Sequence, residues 1–315
     1  MGLTEKLLKA KMKLKGIVCL IRIIPLMSWG ICGVILGGSI AVKKVGFSAV
    51  IIAKILLFCL TVLLIQGILA HAINEYEDWL SGTDIVNGAR FSGGSKVIKR
   101  GMLTLKDLLG LAKISTFLSL TICLLSSFFF DYWVWLVIGL GIAASYAYTY
   151  PPLRMAYRPF LGEWLVAWPA VLLTVLGSHY LLANSLDRTV LVAGVIHSTF
   201  CISWLMQHHL SDIPADLAAN PPKLTTVAFI RKAFGLAKAK VVVIIYSALA
   251  MILGLIAIFK INPLFLVSFL LALVCLALAL TTNPANLEDI ESKEIGMVII
   301  TILHAALLAA LNNLV

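Results

Sequence analysis

Nine runs of mostly apolar residues, near 17–41, 48–71, 109–130, 133–150, 162–183, 189–207, 241–259, 263–281 and 296–314, constrain this chain more than any other feature. Crossing the hydrocarbon of a bilayer takes about 20 such residues in a helix. Only helices and closed barrels satisfy their own backbone hydrogen bonds there. The strand-length alternation of apolar and polar residues that a barrel needs is absent. The chain is therefore predicted to be an all-α polytopic membrane protein, with residues 1–315 forming a single transmembrane domain of nine helices. Composition agrees: 61% of residues are hydrophobic, 13% are charged and the mean hydropathy is +1.02, all outside the range of soluble globular domains.

Lysine and arginine in the connections set the expected orientation. With the N-terminus in the cytoplasm, eighteen of them fall on the cytoplasmic face, from Lys6 to Lys15, Arg90 to Lys106, Arg154, Arg158, Lys223 to Lys240, and Lys293. Lys43, Lys44, Arg188 and Lys260 fall on the other. The net charge of +10 is thus largely topological, and nucleic acid is not expected as a partner. The basic stretch 1–16, "MGLTEKLLKAKMKLKG", flanks the first span or lies on anionic headgroups as an interfacial helix. The first apolar run is too long for a signal-peptide core and reads as a retained span. Six cysteines stand singly without CxxC spacing, which indicates neither a disulfide framework nor a zinc site.

Outer connections are short, whereas two cytoplasmic loops, 72–108 and 208–240, are long and open with acidic motifs. One follows the second span and the other the sixth, a recurrence that suggests two related halves with a site between them. The first motif, "HAINEYEDWLSGTD" at 71–84, carries Asn74, Glu75, Glu77, Asp78 and Asp84. Asn74 and Asp78 are spaced i, i+4 and share a face if the helix continues through them. Asp84 lies beyond Ser81-Gly82, where that helix should end, and can fold back. In the second, "HHLSDIPADLAANPPKLTT" at 208–226, Asp212 and Asp216 repeat the spacing and Lys223 follows. Carboxylates gathered without compensation repel one another and take up protons, so a cation is expected among them. Hard oxygen donors with an asparagine favour Mg²⁺, which binds through carboxylates, water and substrate phosphates. Two such clusters with nearby Lys and Arg suit a diphosphate. The plain alternative is a pair of solvated acidic loops, as is expected of "LEDIESKE" at 287–294.

These residues resemble the UbiA superfamily of intramembrane prenyltransferases, over nearly the whole chain. "NEYEDWLSGTD" followed by "FSGGSKVIKRGML", and "YTYPPLRMAYRPFLGEW" at 148–164, are most similar to the 1,4-dihydroxy-2-naphthoate polyprenyltransferases of menaquinone synthesis. The resemblance implies a UbiA-type bundle of nine helices and transfer of a polyprenyl group from an allylic prenyl diphosphate to an aromatic acceptor. Asn74, Asp78, Asp84, Asp212 and Asp216 would then be Mg²⁺ ligands or partners of the ligands. Lys223 would contact diphosphate, and Tyr150 and Arg154, matching a Y-x-x-x-K pattern, would lie near the breaking C–O bond. Arg90, Lys96 and Arg100 are placed as further substrate contacts, and His71, His208 and His209 as groups that position the acceptor or orient a carboxylate. Tyr146, Tyr150 or Trp164 could shield an allylic cation. The chain departs from the family pattern at Glu75, which stands for an aspartate, at Gln207, His208 and His209, which stand for asparagines, and in "DLAANPPK", which sets Lys223 two residues farther out.

Expected partners are the prenyl diphosphate, the aromatic acceptor and the lipid bilayer, with no obligate protein partner. The expected location is a cell membrane, with the active site toward the cytoplasm. A membrane terpene cyclase would use the same ionising residues, and a secondary transporter could use carboxylates in repeated halves.

Overall fold

The computed structural model describes residues 3–86, 94–128 and 131–314, and every regular element among them is a helix. The long ones are α1 (Leu3–Leu20), α2 (Ile23–Val45), α3 (Ala49–Ser81), α4 (Leu105–Ser126), α5 (Trp133–Thr149), α6 (Gly162–Ala183), α7 (Arg188–Ala218), α8 (Leu236–Lys260), α9 (Pro263–Thr281) and α10 (Leu287–Leu314). Eight of them, α2 to α4 and α6 to α10, are long and apolar enough to cross a membrane; α5, with 17 residues, is apolar but shorter.

Local chemistry sets where several helices begin. Ser48 Oγ accepts from Ile51 N at the start of α3, and Asp187 Oδ1 accepts from Val190 N at the start of α7. Thr104 and Asp107 form a reciprocal capping box on α4. The run expected at 17–41 is divided. α1 ends at Leu20, the chain turns at Ile21-Arg22 with Arg22 in the left-handed region (φ 47°), and α2 starts at Ile23. α1 docks through Leu20 against Leu69, Ile73 and Leu108, and Lys13 pairs with Asp107 at 2.5 Å.

The two acidic stretches are helical where loops were expected from residues 72 and 208: α3 runs to Ser81 and α7 to Ala218. Residues 287–294 likewise form the first turns of α10. The main core is centred on α7, whose Val190, Ile196, Phe200, Met206 and Leu210 pack with α8 residues such as Val243 and Ala250 and α10 residues such as Met297 and Ala305. Inside this core a polar chain joins His197, His304 and Ser268, with N···N 3.3 Å and N···O 3.0 Å.

Three stretches widen from α-helical to π-helical hydrogen bonding: Leu26–Ile31 in α2, Leu63–Ala70 in α3 and Gly162–Ala167 in α6. Such bulges leave backbone carbonyls and side chains rearranged and concentrate at functional sites. All three contribute walls to one cavity of about 230 Å³.

Candidate active site

That cavity joins an apolar slot to a charged end. The slot is walled by Val137, Ile138 and Gly141 of α5 and by Ala170, Val171 and Thr174 of α6. At the charged end lie Asn74, Asp78, Asp84, Asp212, Asp216 and Lys223, with His71, His208 and His209 beside them. The residues expected to act together from the two acidic motifs are therefore brought to one place.

The first motif is built on the last turns of α3. Asn74 Nδ2 donates to Asp78 Oδ2 at 2.9 Å, the contact that i, i+4 spacing permits. Gly82 ends α3 with φ 85°, and the turn Thr83–Val86 buries Asp84 against the same cluster. Glu75, in place of the family's aspartate, is buried and accepts from the backbone N–H of Ser95. Gly94 (φ 66°) brings the backbone so close that an added Cβ would lie 2.2 Å from Glu75 Oε1 and 3.1 Å from Asp84 Oδ2, a cradle that only glycine leaves open. Glu77 points elsewhere and pairs with Arg154 at 2.7 Å.

The second motif occupies the last turns of α7. His208 Nε2 lies 3.4 Å from Asp212 Oδ2, and its Nδ1 lies 2.9 Å from Glu294 Oε1 of α10, which fixes the ring between two carboxylates. Thr225 Oγ1 donates to Asp216 Oδ2 at 3.3 Å. The chain then folds back: Asn220 N donates to Ser81 O at 2.8 Å and Lys223 N to Asp216 O at 2.8 Å. This return carries Lys223 Nζ to 2.9 and 2.8 Å from the two oxygens of Asp78, so an ion pair links the motifs.

Electrostatics follow from that crowding. Burial disfavours the Lys223 cation, but the carboxylates of Asp78 and Asp216 outweigh it and hold its pKa well above the ordinary lysine value. Burial, reinforced by the charges of Asp78 and Glu75, pushes the Asp84 carboxyl up to about 8. Asp84 Oδ2 is buried and has no hydrogen-bond partner among the described residues.

Other expected residues lie outside the cavity wall. Arg154, left-handed at φ 43°, acts at one remove: with Lys223 it flanks the ring of Tyr157, whose hydroxyl lies 3.2 Å from Asp78 Oδ1 and 3.1 Å from Ser81 Oγ. Tyr150 is exposed and meets Tyr146 edge to face, while Tyr146 lies 3.1 Å from Thr116 Oγ1 on α4. Trp164 packs on Trp168 and Tyr246. Lys96 is half-buried and Arg100 exposed, neither of them lining the cavity, and Arg90 lies outside the described residues.

Four contributors escape a reading of motifs. Tyr157, Glu294, Tyr148 and Arg22 reach the site through the fold alone. Arg22 left the clearest signal, a lone charge inside an apolar run. Glu294 corrects the reading of residues 287–294 as a solvated loop, because it is buried on α10 against His208.

Among curated protein sequences none matches the chain significantly. Solved structures do. A UbiA homolog from Archaeoglobus fulgidus bound to GPP and Mg²⁺ superposes with a TM-score of 0.64 at 14% identity, covering 95% of this chain and 100% of that one. The same homolog bound to DMAPP and Mg²⁺ gives 0.61 at 13% identity, covering 92% and 99%. The UbiA prenyltransferase family model matches residues 31–293, a stretch that holds both acidic motifs and Lys223, and the chain belongs to that family.

Proposed function

We propose that the protein transfers a polyprenyl group from an allylic prenyl diphosphate to an aromatic acceptor, 1,4-dihydroxy-2-naphthoate or a related quinone precursor, releasing diphosphate. The observation that carries this reading is the convergence of two acidic motifs and Lys223 on the charged end of a cavity whose other walls are apolar. The slot suits a hydrocarbon tail and the mouth suits its diphosphate. A. fulgidus relatives bound to GPP or DMAPP with Mg²⁺ support the donor class. The naphthoate branch rests on the sequence motifs at 74–84 and 148–164.

The donor set fits Mg²⁺: hard oxygens, an asparagine amide, and a buried carboxylate oxygen of Asp84 without a hydrogen-bond partner among the described residues. Asn74, Asp78, Asp84, Asp212 and Asp216 would hold it, and when bound it supplies charge neutralisation of the diphosphate. Lys223 remains protonated and offers N–H donors to the leaving group. Asn74 and Tyr157 orient Asp78, and His208, held by Glu294, orients Asp212. Cleavage of the allylic C–O bond sends its electron pair away with diphosphate. A π pair of the acceptor ring then forms the new bond to C1. At a carboxylated ring carbon, the C–CO₂⁻ pair returns to the ring as CO₂ leaves, so no redox cofactor is needed. Prepositioned charges that meet the developing anion lower this barrier. The excess of Lys and Arg in the connections on that side supports a site facing the cytoplasm from a cell membrane.

The test uses purified protein in nanodiscs with radiolabelled geranylgeranyl diphosphate and Mg²⁺, with and without 1,4-dihydroxy-2-naphthoate. Labelled prenyl-naphthoquinol that requires the metal and acceptor is expected, with Asp78→Ala and Asp212→Ala each lowering the rate about a hundredfold or more. Labelled hydrocarbon formed without acceptor would establish a cyclase instead. No diphosphate release with any chain length would overturn prenyl chemistry.

A further inference from the structure

α1 contributes nothing to the cavity wall and is too charged to cross a bilayer, with Lys6, Lys9, Lys11, Lys13 and Lys15 beside one acidic residue, Glu5, in 18 residues. Yet it ends at the membrane. The break at Arg22 leads directly into the span Ile23–Val45, whose first residues, Ile23 and Ile24, are exposed apolar side chains.

One edge of α1 is docked on the protein. Gly16 packs so closely on the segment before α4 that an added Cβ would lie 2.9 Å from Leu103 Cγ and 3.0 Å from Met102 Cβ. Leu20 is buried with Leu69, Ile73 and Leu103, and Lys13 pairs with Asp107. Leu69 and Ile73 come just before the first acidic motif of α3. The docked edge therefore holds α1 where α3 leaves the apolar zone, on the side of the cavity mouth.

A second edge is apolar and open. Leu7, Leu14 and Val18 are 62%, 64% and 64% exposed. At about 3.6 residues per turn they fall within about 40° of one another, roughly a third of a turn from the docked edge. Lys11 and Lys15 border this stripe on one side and Lys6 and Lys13 on the other. The boundary between headgroups and acyl chains accepts such a stripe and lets the flanking lysines reach phosphate.

Charge decides which lipid fits. Among the described residues only Lys13 of the five lysines is in an ion pair. The segment on which α1 packs adds the exposed Lys99, Arg100 and Lys106, and its carboxylate, Asp107, is already engaged by Lys13 and Thr104. Lys6, Lys9, Lys11 and Lys15 thus share a surface with three more cations. A basic cluster of that size on an amphipathic helix is the complement of anionic phospholipid.

We infer that α1 is an anionic-lipid-binding helix. It lies along the leaflet on the side of the cavity mouth, with Leu7, Leu14 and Val18 at the acyl boundary and Lys11 and Lys15 on lipid phosphates. The assignment is independent of the prenyl-transfer reading, since it gives α1 a partner whichever reaction the cavity performs.

The test places the full chain, its six cysteines replaced and an NBD fluorophore on Leu14→Cys or Met12→Cys, in nanodiscs that hold one chain each, so that a second copy cannot cover the stripe. Met12 lies about 140° around the helix from the stripe. The discs contain phosphatidylcholine alone or with about a third phosphatidylglycerol. With phosphatidylglycerol the Leu14 label is expected to shift to the blue and to be quenched by a nitroxide lipid about twofold or more over the Met12 label. Raising NaCl from about 0.1 to 1 M, which shortens the screening length about threefold, should reverse most of that gain. In the chain with native cysteines, spin-labelled phosphatidylglycerol should associate about threefold or more over phosphatidylcholine, and Lys6→Gln, Lys11→Gln and Lys15→Gln together should remove most of the preference. The salt comparison needs no lysine substitution and stands if that triple variant misfolds. A Leu14 label in water with both lipids would make α1 a solvated flank. Equal quenching in both lipids, indifferent to salt, would leave an apolar contact that does not select charge. Either result, or a lipid preference unchanged in the triple variant, overturns the assignment.

Discussion

Lys223 shows how much of the site depends on single side chains. It is a buried ammonium bonded to both oxygens of Asp78, and an uncompensated buried charge costs about 3 kcal/mol or more when its partner is removed. Lys223→Met should therefore lower the unfolding temperature in metal-free detergent solution as well as slow diphosphate release. A smaller loss of stability with Mg²⁺ present would show that the metal and the lysine neutralise the same carboxylates. Asp84 gives a pH dependence of known sign. Its pKa rises from 3.8 to about 8 on folding, so its contribution to stability is full below about pH 4 and is lost as pH rises toward 8. Metal binding needs the carboxylate, so Mg²⁺ affinity should climb through the same window and level off above about pH 8, measured by titration calorimetry. Asp84→Asn should flatten both curves. The aspartates and Asn74 were legible in the sequence because i, i+4 spacing on a continuing helix leaves little choice of direction. Tyr157 was not, because a connecting segment brings it in; Arg22 showed only as a lone charge in an apolar run, and Glu294 lay in polar turns that resemble loop.

At the scale of elements, the site exists because two helices run on past their apolar stretches. α3 and α7 stay helical through Asp78 and Asp216, the second despite the ladder bond that Pro214 removes, and so hold the carboxylates on a rigid frame. The apolar runs locate these helices and Gly82 marks the end of α3, but the apolar runs alone stop near residues 71 and 207, because the charged turns beyond them resemble loop. The same resemblance hides the first turns of α10, which are polar yet deliver Glu294 to His208. That link yields a prediction. Glu294→Gln keeps shape and removes the charge that fixes the His208 ring, so Asp212 should be held less firmly. The Mg²⁺ concentration for half-maximal rate should rise a few-fold while KM for prenyl diphosphate moves little. A glutamine variant that lowered only thermal stability would mean the contact is structural.

The whole molecule has two unlike faces. Both acidic helix ends, the cavity mouth and most basic connections belong to one, and Lys43, Lys44, Arg188 and Lys260 to the other. The expected recurrence of an acidic motif after four spans is visible as the pair α3 and α7 meeting through Asn220–Ser81 and Lys223–Asp78. Charge supports one orientation: moving basic segments across a bilayer is disfavoured, so the lysine-rich face is expected on the side of synthesis. Ser48, exposed beside Lys43 and Lys44, and Lys99, exposed on the face of the cavity mouth, report the two sides. In a variant with its six cysteines replaced, Ser48→Cys should react with a membrane-impermeant maleimide added to intact cells, and Lys99→Cys should react only after permeabilisation. The reverse pattern would place the charged mouth outside, where a diphosphate made in the cytoplasm could not reach it, and would break the link between topology and donor supply.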